Sequence, residues 1–328
     1  MKEKVLITGA SGFIGYHIIL EALKNNLEVY AAVRKTSRID HLKDLDIKYT
    51  YLDFDDVSSL KNELAEKEYD YIIHAAGATK ARSQEEYNAI NAGYTKNLAS
   101  ASIESGIQLK KFVLLGSLAA SGPLNTFDEV LNENSTPNPV TAYGKSKLLG
   151  EEILKTFSTL NYTILKPTGV YGPRDKDIFI FFKQVSRGIE PYIGKGEQKF
   201  SFLYVTDLAR ATIKALYHGN KSTFIVSDGK SYDRYQLANC IKETLGVKAI
   251  KLHLPVNFVK IIAYLSEKYC ALNKKASTLN VEKLNELMAV SWHCDIEHAR
   301  AGLGFEPAYD LKAGVAESIK WYKTNKWL

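Results

Sequence analysis

The 328-residue sequence predicts an α/β fold: a doubly wound parallel sheet with a smaller C-terminal substrate domain. Three observations carry that prediction. Short apolar runs alternate with helical periodicities through the first half, a glycine-spaced turn separates the first run from the first helix, and the alternation loosens after about residue 167. The strand-like segments are residues 5–7, 28–33, 48–52, 71–74, 112–115 and 162–165. Helical patterns lie between them at 13–24, 57–67, 85–105 and 142–157. Strands separated by helices of this length need parallel crossovers, so residues 1–166 read as the sheet domain.

Residues 167–328 read mainly as the substrate domain, with some segments returning to the sheet. Gly194-Lys195-Gly196 reads as a turn, and residues 200–205 as a strand. A helix is expected over 206–217 with Thr206 as its N-cap, and another over 231–245 closed by Gly246.

Composition narrows the classes. Hydrophobic residues make up 45% and charged residues 24%, which excludes a disordered or collagen-like chain. The net charge of +6 is spread thinly, and the basic pairs Lys110-Lys111 and Lys274-Lys275 are isolated. Nucleic-acid binding is therefore not expected, because it requires a basic stripe or tail. Cys240, Cys270 and Cys294 match neither a disulfide framework nor a metal-ligand spacing, and the seven histidines show no ligand pattern. A reducing cytoplasm and no metal are expected. The start, Met1-Lys2-Glu3-Lys4 followed by Val5-Leu6-Ile7, is too short an apolar run for a secretory signal. The apolar stretch 254–272 contains Lys260, Glu267 and Lys268, so it predicts a helix on the core or over a pocket and no membrane span.

The sharpest local signal is Val5-Leu6-Ile7-Thr8-Gly9-Ala10-Ser11-Gly12-Phe13-Ile14-Gly15. Its G-x-x-G-x-x-G spacing between strand and helix is what a Rossmann-type dinucleotide site needs. Gly9 permits the tight turn, Gly12 lets the backbone approach a pyrophosphate, and Gly15 allows helix and strand to pack closely. Ser11, Phe13 and Ile14 sit within the same cradle. The second strand ends Ala31-Ala32-Val33-Arg34-Lys35 and supplies no carboxylate for ribose hydroxyls. Arg34 and Lys35 suit a 2′-phosphate, so NADP(H) is favoured and NAD(H) admitted; the alternative is a pair of solvated cations.

Further on, Tyr143-Gly144-Lys145-Ser146-Lys147 places a phenol and an ammonium on one helical face. A nearby cation favours tyrosinate, and such a phenol exchanges a proton with a hydroxyl or ketone while hydride moves. Alone, this spacing is common by chance.

Taken in order, Thr8 to Gly15, His74-Ala75-Ala76-Gly77, Ser117, and the Tyr143/Lys147 pair resemble the short-chain dehydrogenase/reductase superfamily. Lys166-Pro167-Thr168-Gly169-Val170-Tyr171-Gly172-Pro173 and Phe202-Leu203-Tyr204-Val205-Thr206-Asp207-Leu208-Ala209 are similar to its extended branch, the NAD-dependent epimerase/dehydratase family. The resemblance covers nearly the whole chain. It implies that Ser117 hydrogen-bonds the reacting oxygen, that Tyr143 is acid or base, and that Lys147 holds the nicotinamide ribose. It further implies that Asp53, with Phe54 beside it, contacts adenine. Ala75, Ala76 and Gly77 would line the cofactor, and Pro167 and Val170 would approach the nicotinamide. Asn91 falls where related enzymes place an Asn; the alternative is a surface amide.

Two polar positions common in nucleotide-sugar epimerases are replaced here by Gly169 and Phe200. The segment Pro167 to Pro173, Arg34, and the C-terminal Leu303-Gly304-Phe305-Glu306-Pro307 to Trp321-Tyr322 look more like 3β-hydroxysteroid dehydrogenases and dihydroflavonol reductases. The expected function is hydride transfer between NAD(P) and a secondary alcohol or ketone of a small organic substrate. The alternatives are a nucleotide-sugar epimerase or dehydratase that retains NAD, and a non-enzymatic dinucleotide-binding protein. Retention of Ser117, Tyr143 and Lys147 together argues against the last. A homodimer is compatible with each.

Overall fold

The first apolar run forms β1 (Lys4–Thr8), whose residues alternate between the two sides of the molecule. Val5 and Ile7 enter one core and Leu6 the other, as expected for a strand covered on both faces. The computed structural model describes residues 2–273 and 281–328; the pair Lys274-Lys275 lies outside them. After β1 come α1 (Phe13–Lys24), β2 (Glu28–Ala32), β3 (Lys48–Thr50), α2 (Val57–Lys67), β4 (Tyr71–His74), α3 (Gln84–Asn88) and α4 (Tyr94–Glu104). Then follow β5 (Lys111–Leu115), α5 (Ala142–Thr156), β6 (Tyr162–Pro167), β7 (Gly169–Tyr171), α6 (Phe179–Ser186), β8 (Ile189–Ile193), β9 (Lys199–Phe200) and β10 (Phe202–Tyr204). The remainder is α7 (Val205–Tyr217), β11 (Ser222–Val226), β12 (Tyr232–Asp233), α8 (Gln236–Leu245), β13 (Ile250–Leu254), α9 (Val256–Leu272), α10 (Val281–Leu287), α11 (Glu297–Leu303) and α12 (Leu311–Thr324).

The central sheet has seven strands in the order β11-β6-β5-β4-β1-β2-β3, all parallel. Helices α1, α7 and α11 cover one face, and α2, α4 and α5 the other. The order reverses between β1 and β4, which opens a crevice at their carboxyl ends, where doubly wound sheets bind ligands. Beyond β6, short strand pairs β7/β10, β9/β12 and β8/β13 build a second layer over the carboxyl end of the sheet, closed by α6, α8 and α12.

Four expected elements differ. The helix at 85–105 is two helices joined by a π-turn at Ala89–Gly93. The strand at 200–205 is broken at Ser201, whose carbonyl accepts from the Thr168 hydroxyl. Thr206 is not an N-cap, because the helix starts one residue earlier and its Oγ1 is buried without a partner. The helix expected from Ser231 begins at Gln236; Tyr232 is a buried strand residue opposite Phe200. Its C-terminal Gly246 does adopt the left-handed conformation (φ +67°) expected of a stop. Among the described residues no helix is long and apolar enough to cross a membrane.

Candidate active site

At the crevice the chain makes a turn that only glycine permits. Gly9 has φ +67°, and a Cβ there would stand 2.6 Å from the Ala75 carbonyl oxygen at the end of β4. A Cβ on Gly15 would lie 2.2 Å from the Gly9 carbonyl, so α1 docks backbone to backbone on the turn. Gly12 is the exposed N-cap of α1 and offers no side chain of its own, leaving the first amides of the helix aimed outward. Ser11, Phe13 and Ile14 flank that opening, each half-buried. The same end of the sheet is tied by Thr8, whose Oγ1 lies 2.8 Å from His74 Nδ1 and accepts from the Ala76 N–H at 3.0 Å. Burial pushes the His74 imidazole down to about 3, so the ring is neutral.

These groups fit a dinucleotide: a helix N-terminus free of side chains, a loop Ala75–Ala76–Gly77 beside it, and an open floor. A Cβ at exposed Gly77 would stand 2.9 Å from Asn91 Oδ1 and 3.9 Å from Lys147 Nζ, filling the cradle. Asn91 is buried and is not a surface amide. Its Oδ1 accepts from Ala78 N–H at 2.8 Å while its Nδ2 donates to the Ala78 carbonyl at 3.0 Å and to Ser146 at 2.9 Å. It therefore braces the loop against α5.

At the end of β2, Arg34 and Lys35 are exposed, and a turn joins the Arg34 carbonyl to the Ser37 N–H at 2.8 Å. Parallel pairing sets the ends of β2 and β3 side by side, and Arg34, Asp53 and Asp55 there all act electrostatically on the Tyr94 phenol. Asp53 is exposed; Phe54 is partly buried and stacks on Tyr94 at 4.7 Å between centroids.

Helix α5 starts at Thr141, which accepts from Gly144 N–H at 3.0 Å. Tyr143, the second residue of the helix, shares the cavity lining with Ser117, which lies two residues past β5 and caps a short 3-10 turn. Burial pushes the Tyr143 phenol up to about 12, against the opposing effect of Ser117. The sequence leads one to expect Lys147 to draw it down; burial dominates instead. Lys147 is itself buried, donates to the Leu115 carbonyl, and is pushed down to about 8 by desolvation. Below it Glu151, one helical turn on, is fully buried with Oε2 3.3 Å from Lys166 Nζ, and its carboxyl is pushed up by burial.

Ser117 and Tyr143 open into a cavity of about 520 Å³, with Pro167 on its wall. Val170 lies beyond, packed on the central core. Of the rest of the lining, the sequence marked only Thr168, Gly169, Phe200 and Phe202, through the two later motifs and the replaced polar positions. Phe181, Tyr192, Phe200, Phe202 and Trp292 supply aromatic walls, with Ile178, Ile193, Leu237 and Leu287 between them. Its charged members are two cations, Arg234 and Lys283, against three carboxylates, Asp177, Asp233 and Glu286. Asp177 pairs with Lys80 at 3.1 Å and Lys283 with Glu286 at 2.7 Å. Asp233 accepts from the Tyr235 and Gln236 N–H groups, and Arg234 donates to the Ile193 and Gly196 carbonyls. Among the described residues no cluster of His, Cys, Asp and Glu is arranged for a metal.

The profile of the NAD dependent epimerase/dehydratase family matches residues 5–227. A putative UDP-glucose 4-epimerase of Methanocaldococcus jannaschii is 27% identical over 98% of this chain and 99% of its own length. A decarboxylating sterol-4-alpha-carboxylate 3-dehydrogenase of Candida albicans is 26% identical over 97% of each chain. The crystal structure of Thermotoga maritima UDP-glucose 4-epimerase with UDP-glucose shares the fold, with a TM-score of 0.80 at 22% identity over 98% of this chain and 99% of that one.

Proposed function

The chain belongs to the NAD-dependent epimerase/dehydratase family and is an enzyme of the extended short-chain dehydrogenase type; on that premise we propose that it transfers hydride between a freely exchanging dinucleotide and a secondary alcohol or ketone on a bulky, mainly apolar substrate. The supporting observation is the cavity at Ser117 and Tyr143. Its walls are aromatic and aliphatic, and each of its charged groups is already engaged by a neighbour. A substrate diphosphate would need uncommitted cations there, because burying its charges without them is costly.

The nicotinamide, when bound, supplies or accepts the hydride. In reduction Tyr143, protonated at neutral pH, donates its proton to the carbonyl oxygen that Ser117 also hydrogen-bonds. In oxidation the alcohol proton passes the other way, to the Tyr143 oxygen in its deprotonated form. Lys147 Nζ, held by the Leu115 carbonyl beside Gly77, would hold the ribose and keep a positive charge near the phenol. The Gly9–Gly15 turn would take the pyrophosphate at the α1 N-terminus. Asp53 would reach adenine, and Arg34 with Lys35 would favour NADP by pairing with its 2′-phosphate.

A second reading, nucleotide-sugar epimerisation with retained NAD, is favoured by Arg234. It is a cation on the cavity lining whose Nε lacks a partner, so its donor capacity exceeds the Ile193 and Gly196 carbonyls it already serves. Purified protein separates the two. The dehydrogenase reading expects little bound dinucleotide and tighter titration by NADP than by NAD. Near one NAD per chain after purification, with interconversion of UDP-sugar epimers, would replace it with the second.

A further inference from the structure

The outer side of the C-terminal layer carries an apolar surface that is largely exposed. In α9, Val259 and Ala263 are buried against Leu284. On another face of the same helix Phe258, Ile261, Ile262 and Leu265 are 53%, 59%, 40% and 59% exposed. Their i, i+3, i+4, i+7 spacing forms one continuous stripe towards solvent. The stripe does not stand alone. On β13, Ile250 and Leu252 are 78% and 47% exposed and pair with Ile189 and Pro191 of β8. The same strand face ends at Leu254 and Ile193, which pack on Val259 and Ala263. Strand pair and helix thus share one apolar surface, and Pro191 and Ile193 also line the cavity. A scattered exposed leucine needs no explanation; a contiguous apolar patch does.

Charge identifies what covers it. Between residues 248 and 268 the exposed cations are Lys248, Lys251, Lys260 and Lys268; Lys251 faces the other side of β13, over the Tyr235 ring, which leaves three on the outer side against one acid, Glu267. A lysine fringe beside an apolar stripe is the pattern of a helix lying in the plane of an anionic lipid surface. A second copy of this chain fits less well, because a two-fold contact would set the same lysines against each other. We propose that α9 and the β8/β13 edge seat the enzyme on the surface of an anionic bilayer, with α9 parallel to the membrane plane. The cavity wall would then adjoin the lipid, where an apolar substrate is dissolved. The inference extends the proposed reaction, yet it is tested without turnover, so either can fail alone.

The test is co-sedimentation of the full chain with vesicles of phosphatidylcholine containing phosphatidylglycerol, and with vesicles of phosphatidylcholine alone. Binding to the anionic vesicles is expected, weakening as salt rises. Ile261→Asp with Leu265→Asp should weaken it by at least about tenfold, since each apolar side chain inserted contributes to partitioning. Dinucleotide binding by that variant should match the wild type, which verifies its fold. Lys260→Glu with Lys268→Glu, which touches no core residue, should weaken binding at least as much, from the loss of about fivefold per lysine. Failure of the wild type to bind anionic vesicles would overturn the proposal, as would unchanged binding by both variants. So would a wild-type dimer in solution that the aspartate variant splits into monomers, since the surface would then be an interface between copies.

Discussion

The turn between β1 and α1 and the cavity wall built by β8, β9 and β10 prepare for their ligands in opposite ways. In the turn the backbone itself forms the site, and atoms approach so closely that residue identity is dictated: Gly9 and Gly15 have no room for a Cβ. In the wall the site is made of side-chain bulk, and Phe181, Tyr192, Phe200, Phe202 and Trp292 meet from four separate segments. The first kind of site tolerates almost no change. The second should tolerate many, because apolar residues of similar volume repack at modest cost.

The largest expected effect lies in the turn. Gly15→Ala drives a methyl to 2.2 Å from the Gly9 carbonyl, a backbone atom that cannot rotate away. Calorimetric titration should detect no dinucleotide binding, and the melting temperature should fall. A variant that binds normally would show that the turn is less rigid than its contacts demand.

Between the two regions stands Tyr143. Tyr143→Phe should lower turnover by about a hundredfold or more while dinucleotide affinity holds, the scale for losing a positioned acid or base. The phenol keeps its proton up to about 12, but Lys147 is pushed down to about 8 by burial. The Lys147 charge is therefore present below about 8 and lost above it. Steady-state ketone reduction should be level below that pH and fall by about tenfold per unit above it. Lys147→Met should remove that alkaline limb along with most activity; a limb that persists would assign it elsewhere.

Arg34 tests the exposed rim of the turn. Its charge-assisted contact with a 2′-phosphate should make NADP bind about tenfold more tightly than NAD, by fluorescence titration at low salt. Arg34→Ala should erase that margin and leave NAD affinity unchanged. Equal affinities in the wild type would reduce Arg34 to a surface cation. The smallest effect belongs to the wall. Phe200→Leu should change KM for an apolar ketone by less than about tenfold and leave cofactor binding unaltered. A collapse of cofactor affinity in that variant would erase the distinction between the two regions.

The same contrast explains what was legible in the sequence. The β1–α1–β2 unit falls within a residue or two of expectation because buried strands and a glycine turn leave few alternatives. Ser117 and Tyr143 come together as the spacing and order of the motifs imply. The start of α8 was not legible: tertiary pairing with Phe200 draws Tyr232 into a strand, and Asp233 then caps the helix through the Tyr235 and Gln236 N–H groups. Thr206 has the right residue type for a cap, but its side chain points into the interior. Asn91 was marked only by the resemblance, since a π-turn that aims an amide at a loop has no simple sequence period. Phe200 and Phe202 apart, the cavity wall was illegible for the same reason it is tolerant. Aromatic residues scattered over more than a hundred positions carry no spacing until the fold gathers them.

The central claim is net hydride transfer to or from a substrate that leaves with it. Reduced dinucleotide carrying deuterium at the transferable nicotinamide position, supplied with a bulky apolar ketone, measures that transfer directly. One deuterium per product alcohol, at the carbinol carbon, with one equivalent of dinucleotide oxidised, is the predicted result. An unlabelled product pool, no net oxidation of dinucleotide, and turnover of UDP-sugar epimers by the same preparation would contradict it.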